Sequence, residues 1–577
     1  MYSKYYQQEL QSLRELAAEF AKGHPAIAPM LSGQTADPDV ERLLEGVAFL
    51  TGMLHEKLDD DFPEIIHSLM GIILPHYISV IPSTSIVVFT PKPSLQENIT
   101  VRKGTSLASV PVDGTSCIFK TCFDLEVHPL RIIAAESIQQ AGLAGQIRLT
   151  MELTGPVLSQ WQPTRLGFFL GGSYTDSTDL FALLDHYLAR IIITPVEGGA
   201  ICVLPPESLR PIGFELQNNL LPFTARSFSG YRLLQEYFIL PRKFLFWELT
   251  GWEKWRDRGK GKTFQVSFEF KPAPVPLTKV GTDHFILYAT PVINLFPHES
   301  DPFMLDHYLE RIRVRPVIKN PDHYRVYSVD KVIGYSQGTV VKKEYTPLEL
   351  FHQTESGRPV YQVIRSRSPI TDAPEMYLSF TYPQDSPEPV KETLSVTMTC
   401  TNGNLPERLK LGDICRQTSD SPELLTFSNV VPPTLPVEPP LGENAMWRFL
   451  SHLSLNYLKI ADADNIRDIL RLYVFPESRD RARVAANLKR IDGITGFEVT
   501  PADRLVSGYM MRGQIAAMTA RRDHFAGFGD LYLFGAVTNL FLGVFCSMNT
   551  FMQFRINETL SGESFIWPAR IGDRPLI

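Results

Sequence analysis

Cysteine pairs at metal-binding spacing are absent from this 577-residue chain. Its six cysteines, Cys117, Cys122, Cys202, Cys400, Cys415 and Cys546, contain no C-x-x-C, which excludes a zinc ribbon. They are also too sparse for a disulfide framework. A basic surplus is missing too. Lys plus Arg total 56 against 63 Asp plus Glu, a net charge of −7, and this balance argues against nucleic acid as the principal ligand. Long hydrophobic runs are lacking: the most apolar segment, Leu531 to Cys546, carries Thr538 and Asn539 and falls short of the roughly 20 residues a bilayer requires, so it predicts a buried helix. The opening MYSKYYQQELQSLRELAAEF has no apolar signal core, and a reducing cytoplasm is the expected compartment.

What is present is globular. Hydrophobic residues make up 44% and charged residues 21%, which excludes a disordered or collagen-like chain, and the length predicts about three to five domains. Proline is in excess, 44 residues in all, and favours short strands with long connections.

The first stretch reads as helix. Tyr6, Leu10, Leu13, Ala17 and Phe20 recur at helical steps on one face, up to His24-Pro25. Asp37-Pro38 predicts the start of a second helix carrying Val40, Leu43, Leu44, Val47, Leu50 and Leu54. Asp61 with Glu64 three residues on predicts a capped third, buried through Ile65, Ile66, Leu69, Met70 and Ile73. From about 82 to 440 short β-rich runs follow, among them Ser85 to Phe89, Gln146 to Leu153, Phe264 to Phe270, Tyr324 to Ile333 and Thr393 to Cys400. The expected organisation is therefore α+β and multidomain. It comprises a helical region at 1–80, β-rich domains at 81–275 and 276–430 divided near the prolines of 271–276, an extended proline-rich linker at 430–440, and a C-terminal α/β domain at 441–577. In the last domain helices are expected at 443–458, 462–475 and 479–490, strands at 496–499 and 509–518, and Asp530 is expected to cap the apolar helix.

Catalytic motifs find little support. Gly334-Tyr335-Ser336-Gln337-Gly338 matches the G-x-S-x-G elbow of serine hydrolases, but Thr339-Val340-Val341 after it predicts a strand–turn–strand hairpin instead of strand–turn–helix. Ser328 and Lys331 satisfy S-x-x-K within an alternating strand and lack companion motifs. The histidines, His24, His55, His67, His76, His284, His298 and His307 among them, form no metal-ligand pattern, and no phosphate-binding glycine loop occurs. Lys254, Arg256, Arg258, Lys260 and Lys262 interleave with Trp252 and Trp255, a pattern read first as a solvated loop. The remaining candidate is the N-terminal helical stripe, either buried against the β region, which the residue pattern alone favours, or offered to another chain.

Whole-chain pattern adds a resemblance. Tyr5-Tyr6, Glu9-Leu10, Leu13-Arg14, Ala18-Glu19-Phe20-Ala21, His24-Pro25 and the run from Asp37 to Leu50 resemble the TssF family (VasA or ImpG) of type VI secretion systems. So do Lys57 to Glu64, Asn294-Leu295-Phe296-Pro297, Cys400-Thr401-Asn402-Gly403 with Leu405-Pro406, Trp447 to Asn456, Arg512-Gly513 and Phe534-Gly535. Two positions depart from the family pattern, Gly403 and the Gln514-Ile515 that follows Arg512-Gly513. The resemblance implies a non-enzymatic subunit of a baseplate wedge, with a fold similar to contractile-phage wedge proteins and no cofactor. Its implied partners are TssG, with two copies of this chain per TssG, then TssE, TssK, the VgrG hub and neighbouring wedges. The membrane complex of TssJ, TssL and TssM would be reached indirectly, at the inner face of the inner membrane, with no nucleic acid or small substrate. A wedge subunit of a phage-like or extracellular injection machine is the alternative, and a hydrolase using Ser336 a remote one. The resemblance also turns the N-terminal stripe, from Tyr6, Leu10, Leu13, Ala17 and Phe20 through Val40, Leu43, Leu44, Val47, Leu50 and Leu54, into an expected partner surface.

Overall fold

The computed structural model describes residues 2–23, 38–139, 145–222, 229–272, 277, 279–306, 309–318, 320–336, 342–348, 359–368, 373–381, 391–441, 448, 462–475, 478–506, 509–543, 546 and 548–572. The chain opens with two helices, α1 (Tyr2–Gly23) and α2 (Pro38–Ile73). The expected break at Asp61 does not occur: the backbone is helical through all three aspartates and Pro63, so two predicted helices are one and Asp61 caps nothing. Pro63 removes a single amide donor from the ladder. Meanwhile Leu54, Leu58, Phe62, Ile65, Leu69 and Ile73 keep helical steps across it, so the period that organises the helix is never interrupted.

Five sizeable sheets follow among the described residues. A six-stranded antiparallel sheet runs in the order Ile414–Arg416, Ser106–Val112, Thr115–Thr121, Ala289–Ile293, Thr84–Pro91, Leu425–Asn429. A five-stranded sheet (Cys202–Leu204, Leu188–Pro195, Thr263–Phe270, Gln146–Leu153, Leu130–Ile138) and a four-stranded one (Leu209–Pro211, Phe246–Leu249, Leu166–Leu170, Phe285–Leu287) pack with helices α3 (Tyr174–His186) and α4 (Ser229–Ile239). The boundary expected at 275/276 is therefore corrected. The six-stranded sheet draws three strands from each side of it, because alternation reveals a strand's wet face but not its neighbour in the sheet.

The eight-stranded sheet lies wholly between Phe296 and Thr401 and has its own core of Phe296, Leu305, Val314, Val332, Leu378, Val396 and Met398. It is thus an insertion into the six-stranded sheet, leaving after Ile293 and returning before Ile414. At its neck stand the two asparagines of the motif segments, both fully buried. Asn294 Nδ2 donates to Asn402 Oδ1 (2.8 Å) and to the Ile118 carbonyl (2.7 Å), while the amides of Asn402 and Ile118 donate back to Asn294 Oδ1 (2.7 Å) and Asn402 Oδ1 (3.0 Å). Gly403, which turns the returning strand, adopts a left-handed φ of 54° that glycine takes without strain.

The proline-rich 430–440 segment is extended but is no free spacer. The amides of Val430, Thr434 and Val437 donate to the carbonyls of Ile86, Thr84 and Ile81, which places the segment along the sheet edge, where prolines are tolerated. Beyond it come α5 (Ala463–Leu472), α6 (Arg481–Asp492) and α7 (Phe528–Gly543), while the helix expected at 443–458 lies outside the described residues but for Arg448. Tyr509–Ala520 pairs in parallel with Phe551–Glu558 through a crossover containing α7, the α/β connection anticipated here. Motif glycines permit this packing: a Cβ at Gly513 would strike Phe551, and one at Gly535 would strike Trp567 and Ile556.

Asp530 is corrected as well. It lies inside the first turn of α7, fully buried, and binds Arg490 Nε (2.9 Å), Tyr174 Oη (2.7 Å) and the Ala526 amide (3.0 Å). A continuous core from Met70 to Trp567 joins the C-terminal module to the three sheets before it. Asn294→Ala should lower stability by about 1–3 kcal/mol, measured by chemical denaturation, because it leaves the Asn402 amide and the Ile118 carbonyl buried without their partner.

Candidate partner interface

α1 and α2 pack as an antiparallel pair, since Arg14 Nη2 meets Glu41 (2.9 Å) near one end and Gly52 lies beside Tyr5 and Tyr6 at the other. The approach is close: a Cβ at Gly52 would sit 3.1 Å from the Tyr6 nitrogen. Gly52, one turn from the buried Ala48, lets the two backbones come together.

The structure divides the predicted stripe in two. Tyr6, Leu10, Leu13 and Ala17 of α1, with Val40 and Leu44 of α2, are half-buried and continue the line of Ala21, Ala48 and Gly52. Leu43, Val47 and Leu50, spaced by four and three residues on a neighbouring line, are open, with Leu43 68% and Leu50 62% exposed. Phe20 is half exposed and Leu16, Phe49 and Met53 extend the open surface, three residues that sequence reasoning left out although their spacing was visible. The side chain of Leu54 lies outside the described residues. Neither hydrophobic core includes any described residue before Met70. The inner line is thus covered within the hairpin and belongs to neither core of the β region.

The other candidates are placed elsewhere. Ser336 ends strand Arg325–Ser336, whose pairing with Glu392–Thr401 continues through Ser336 opposite Glu392; this is ladder backbone, not the strand–helix turn that an elbow needs. Trp252 and Trp255 are buried, and Arg258 turns inward to donate to the carbonyls of Trp255 (2.9 Å), Trp252 (2.8 Å) and Trp161. Lys254, Arg256 and Lys260 remain exposed, so the solvated loop was half the answer and a tryptophan-lined core the other half. Burial pushes the Cys117 thiol up to about 11 and those of Cys122 and Cys400 up to about 12, which keeps them protonated and unreactive. His76 stacks against Tyr231 and Tyr473, its Nε2 3.1 Å from the Tyr473 hydroxyl, and burial lowers its pKa to about 4. No described helix is long and apolar enough to cross a membrane.

An apolar helical hairpin whose described residues before Met70 lie outside both cores, beside a large β scaffold, is the geometry of a chain that packs in an assembly. The sequence profile of the type VI secretion system TssF family matches residues 2–574, and the chain belongs to that family. It is 30% identical to the type VI secretion system component TssF1 of Pseudomonas aeruginosa (strain ATCC 15692 / PAO1), with 99% of each chain covered. A chain from the cryo-electron microscopy structure of a type VI secretion TssK–TssF–TssG baseplate subcomplex superimposes with a TM-score of 0.78 at 29% identity, over 93% of this chain and 99% of that one. A chain of another type VI secretion baseplate complex shares the fold over the full length of both, with a TM-score of 0.61 at 24% identity. The protein is a structural wedge component of the type VI secretion baseplate.

Leu43→Asp should leave the thermal stability of the isolated chain within about 0.5 kcal/mol of the parent, whereas Gly52→Leu should loosen the hairpin by about 1–3 kcal/mol, read as faster amide hydrogen exchange across Tyr5 to Ala17. For His76 the folded pKa lies below the unfolded value of 6.5, so its contribution is complete above pH 6.5 and is lost as pH falls toward 4. His76→Phe, which keeps the ring stack, should flatten the pH dependence of the melting temperature over that window.

Proposed function

We propose that the open line of the hairpin, Leu43, Val47 and Leu50 with Leu16 and Phe20, is the surface through which this chain enters a baseplate wedge, packing on a TssG-like subunit and a second copy of itself. The observation that carries this reading is the exposure of that line on a hairpin whose described residues before Met70 belong to neither core. Obligate interfaces are large and apolar, and a helix pair presenting leucines at steps of four and three suits a shared helical bundle. The inner residues Tyr6, Leu10, Leu13, Ala17, Val40 and Leu44 hold the hairpin itself and act on the interface through its shape.

The solved complex of a relative contains TssK and TssG, which supports both as partners here. TssE, the VgrG hub and neighbouring wedges complete the proposed set, in the cytoplasm beneath the TssJ, TssL and TssM membrane complex. The work of such a subunit is mechanical: contacts between wedges rearrange together and release sheath contraction, so the energy sits at interfaces and no catalytic group takes part.

Co-expression with the cognate TssG-like chain and native mass spectrometry tests the assignment. A stable two-to-one complex is expected, lost with Leu43→Asp and Leu50→Asp while circular dichroism of the variant chain stays unchanged. A complex indifferent to those substitutions would move the interface off the hairpin, and a monomer that ignores its partner would overturn the wedge reading.

A further inference from the structure

Where the six-, five- and four-stranded sheets converge, a cleft of about 720 Å³ opens. Its lining is mainly apolar, with Val88 and Phe89 from one sheet, Leu130 and Ile132 from the second, and Phe285 and Leu287 from the third. Three cations, Lys92, Arg131 and Lys262, line it against one carboxylate, Glu152. Arg131 and Glu152 satisfy each other (2.6 Å), and Lys92 Nζ donates to the neutral Glu423 carbonyl (2.6 Å). Two positive charges therefore stand over an apolar floor without a carboxylate of their own among the lining residues.

The backbone around the cleft has open sides. Phe285–Leu287 is the last strand of its sheet and pairs only with Leu166–Leu170 among the described strands. In strand Thr84–Pro91, Val87 and Val88 pair with strands on both sides, but Thr90 and Pro91 pair only with Thr426 and Leu425. The walls are tied together by Tyr288, a buried residue with a left-handed φ of 59°. Its carbonyl accepts from the Phe89 amide (2.9 Å) and its hydroxyl donates to the Leu130 carbonyl (3.2 Å), so the cleft is held open in advance of any occupant. A bulky residue in that conformation is strained, and such strain persists only where the surroundings impose it.

We propose that this cleft receives an extended acidic segment of a partner protein, laid as an added strand along Phe285–Leu287 with its carboxylates toward Lys92 and Lys262. An added strand draws affinity from main-chain hydrogen bonds and specificity from alternate side chains, which matches an open strand beside an apolar floor with a cationic rim.

The test uses the full chain and a fluorescein-labelled peptide of alternating valine and glutamate, followed by fluorescence anisotropy. Binding is expected to weaken as salt is raised and to fall at least tenfold in the Lys92→Glu, Lys262→Glu double variant with its melting temperature unchanged. A peptide with lysine in place of glutamate should not bind, and the acidic peptide should slow hydrogen exchange at the amides of Phe285–Leu287. Equal binding of the two peptides, indifference to the charge reversal, or no binding of the acidic peptide would overturn the proposal. Binding without protection of Phe285–Leu287 would overturn the added strand. None of these readouts involves the hairpin, so they stand or fall apart from its assignment.

Discussion

Two buried asparagines close the neck through which the chain leaves its six-stranded sheet, builds a second β body of about a hundred residues and returns. Neither side chain reaches water; that of Asn294 meets the Asn402 amide and the Ile118 carbonyl, and that of Asn402 meets the Ile118 amide, so the exit and the return are fixed to the same strand of the host sheet. An insertion held only by two peptide connections would pivot. Held by charge-neutral hydrogen bonds in a dry neck, it keeps one orientation, because breaking any of them would leave a buried amide or carbonyl unmatched.

The same economy of buried polar groups joins the C-terminal module to the body. Asp530 and Arg490 come from α7 and α6, whereas Tyr174, which donates to the same carboxylate, belongs to α3. A carboxylate in that position costs desolvation that only its full set of partners repays, so the interface has one register. With the apolar core continuous from Met70 to Trp567, the rigid part of the subunit is large. The hairpin is the exception. Its own two-helix contact buries one line of side chains and leaves a second line facing out, and a pair of helices has no third surface with which to cover it.

Much of this was legible in advance, for identifiable reasons. Gln146–Leu153 and Thr263–Phe270 alternate with period two, and the strands fall where the alternation does. The apolar run around Leu531 forms a helix buried on all sides, as uniform hydrophobicity demands. Local signals misled where a stronger, longer pattern overrode them. Asp61 and Glu64 resemble a cap, but six apolar residues keep the helical period across them and the backbone follows it. Asp530 looks like an N-cap because a free aspartate would be one, and nothing nearby in the sequence announces an arginine forty residues upstream as its partner.

What the sequence determined by itself was local and compositional: which stretches alternate, which follow the helical period, that the composition is globular without a basic surplus, and that its motifs run in TssF order from end to end. Tertiary structure alone decided which strands are neighbours, so that three strands after residue 276 complete a sheet begun before it. It also decided which half of one apolar stripe is consumed within the hairpin and which half is left open. Period and spacing place residues on a face of their own element, but burial depends on what packs against that face, and neither signal names the packing element, whether it is the next helix or a strand hundreds of residues away.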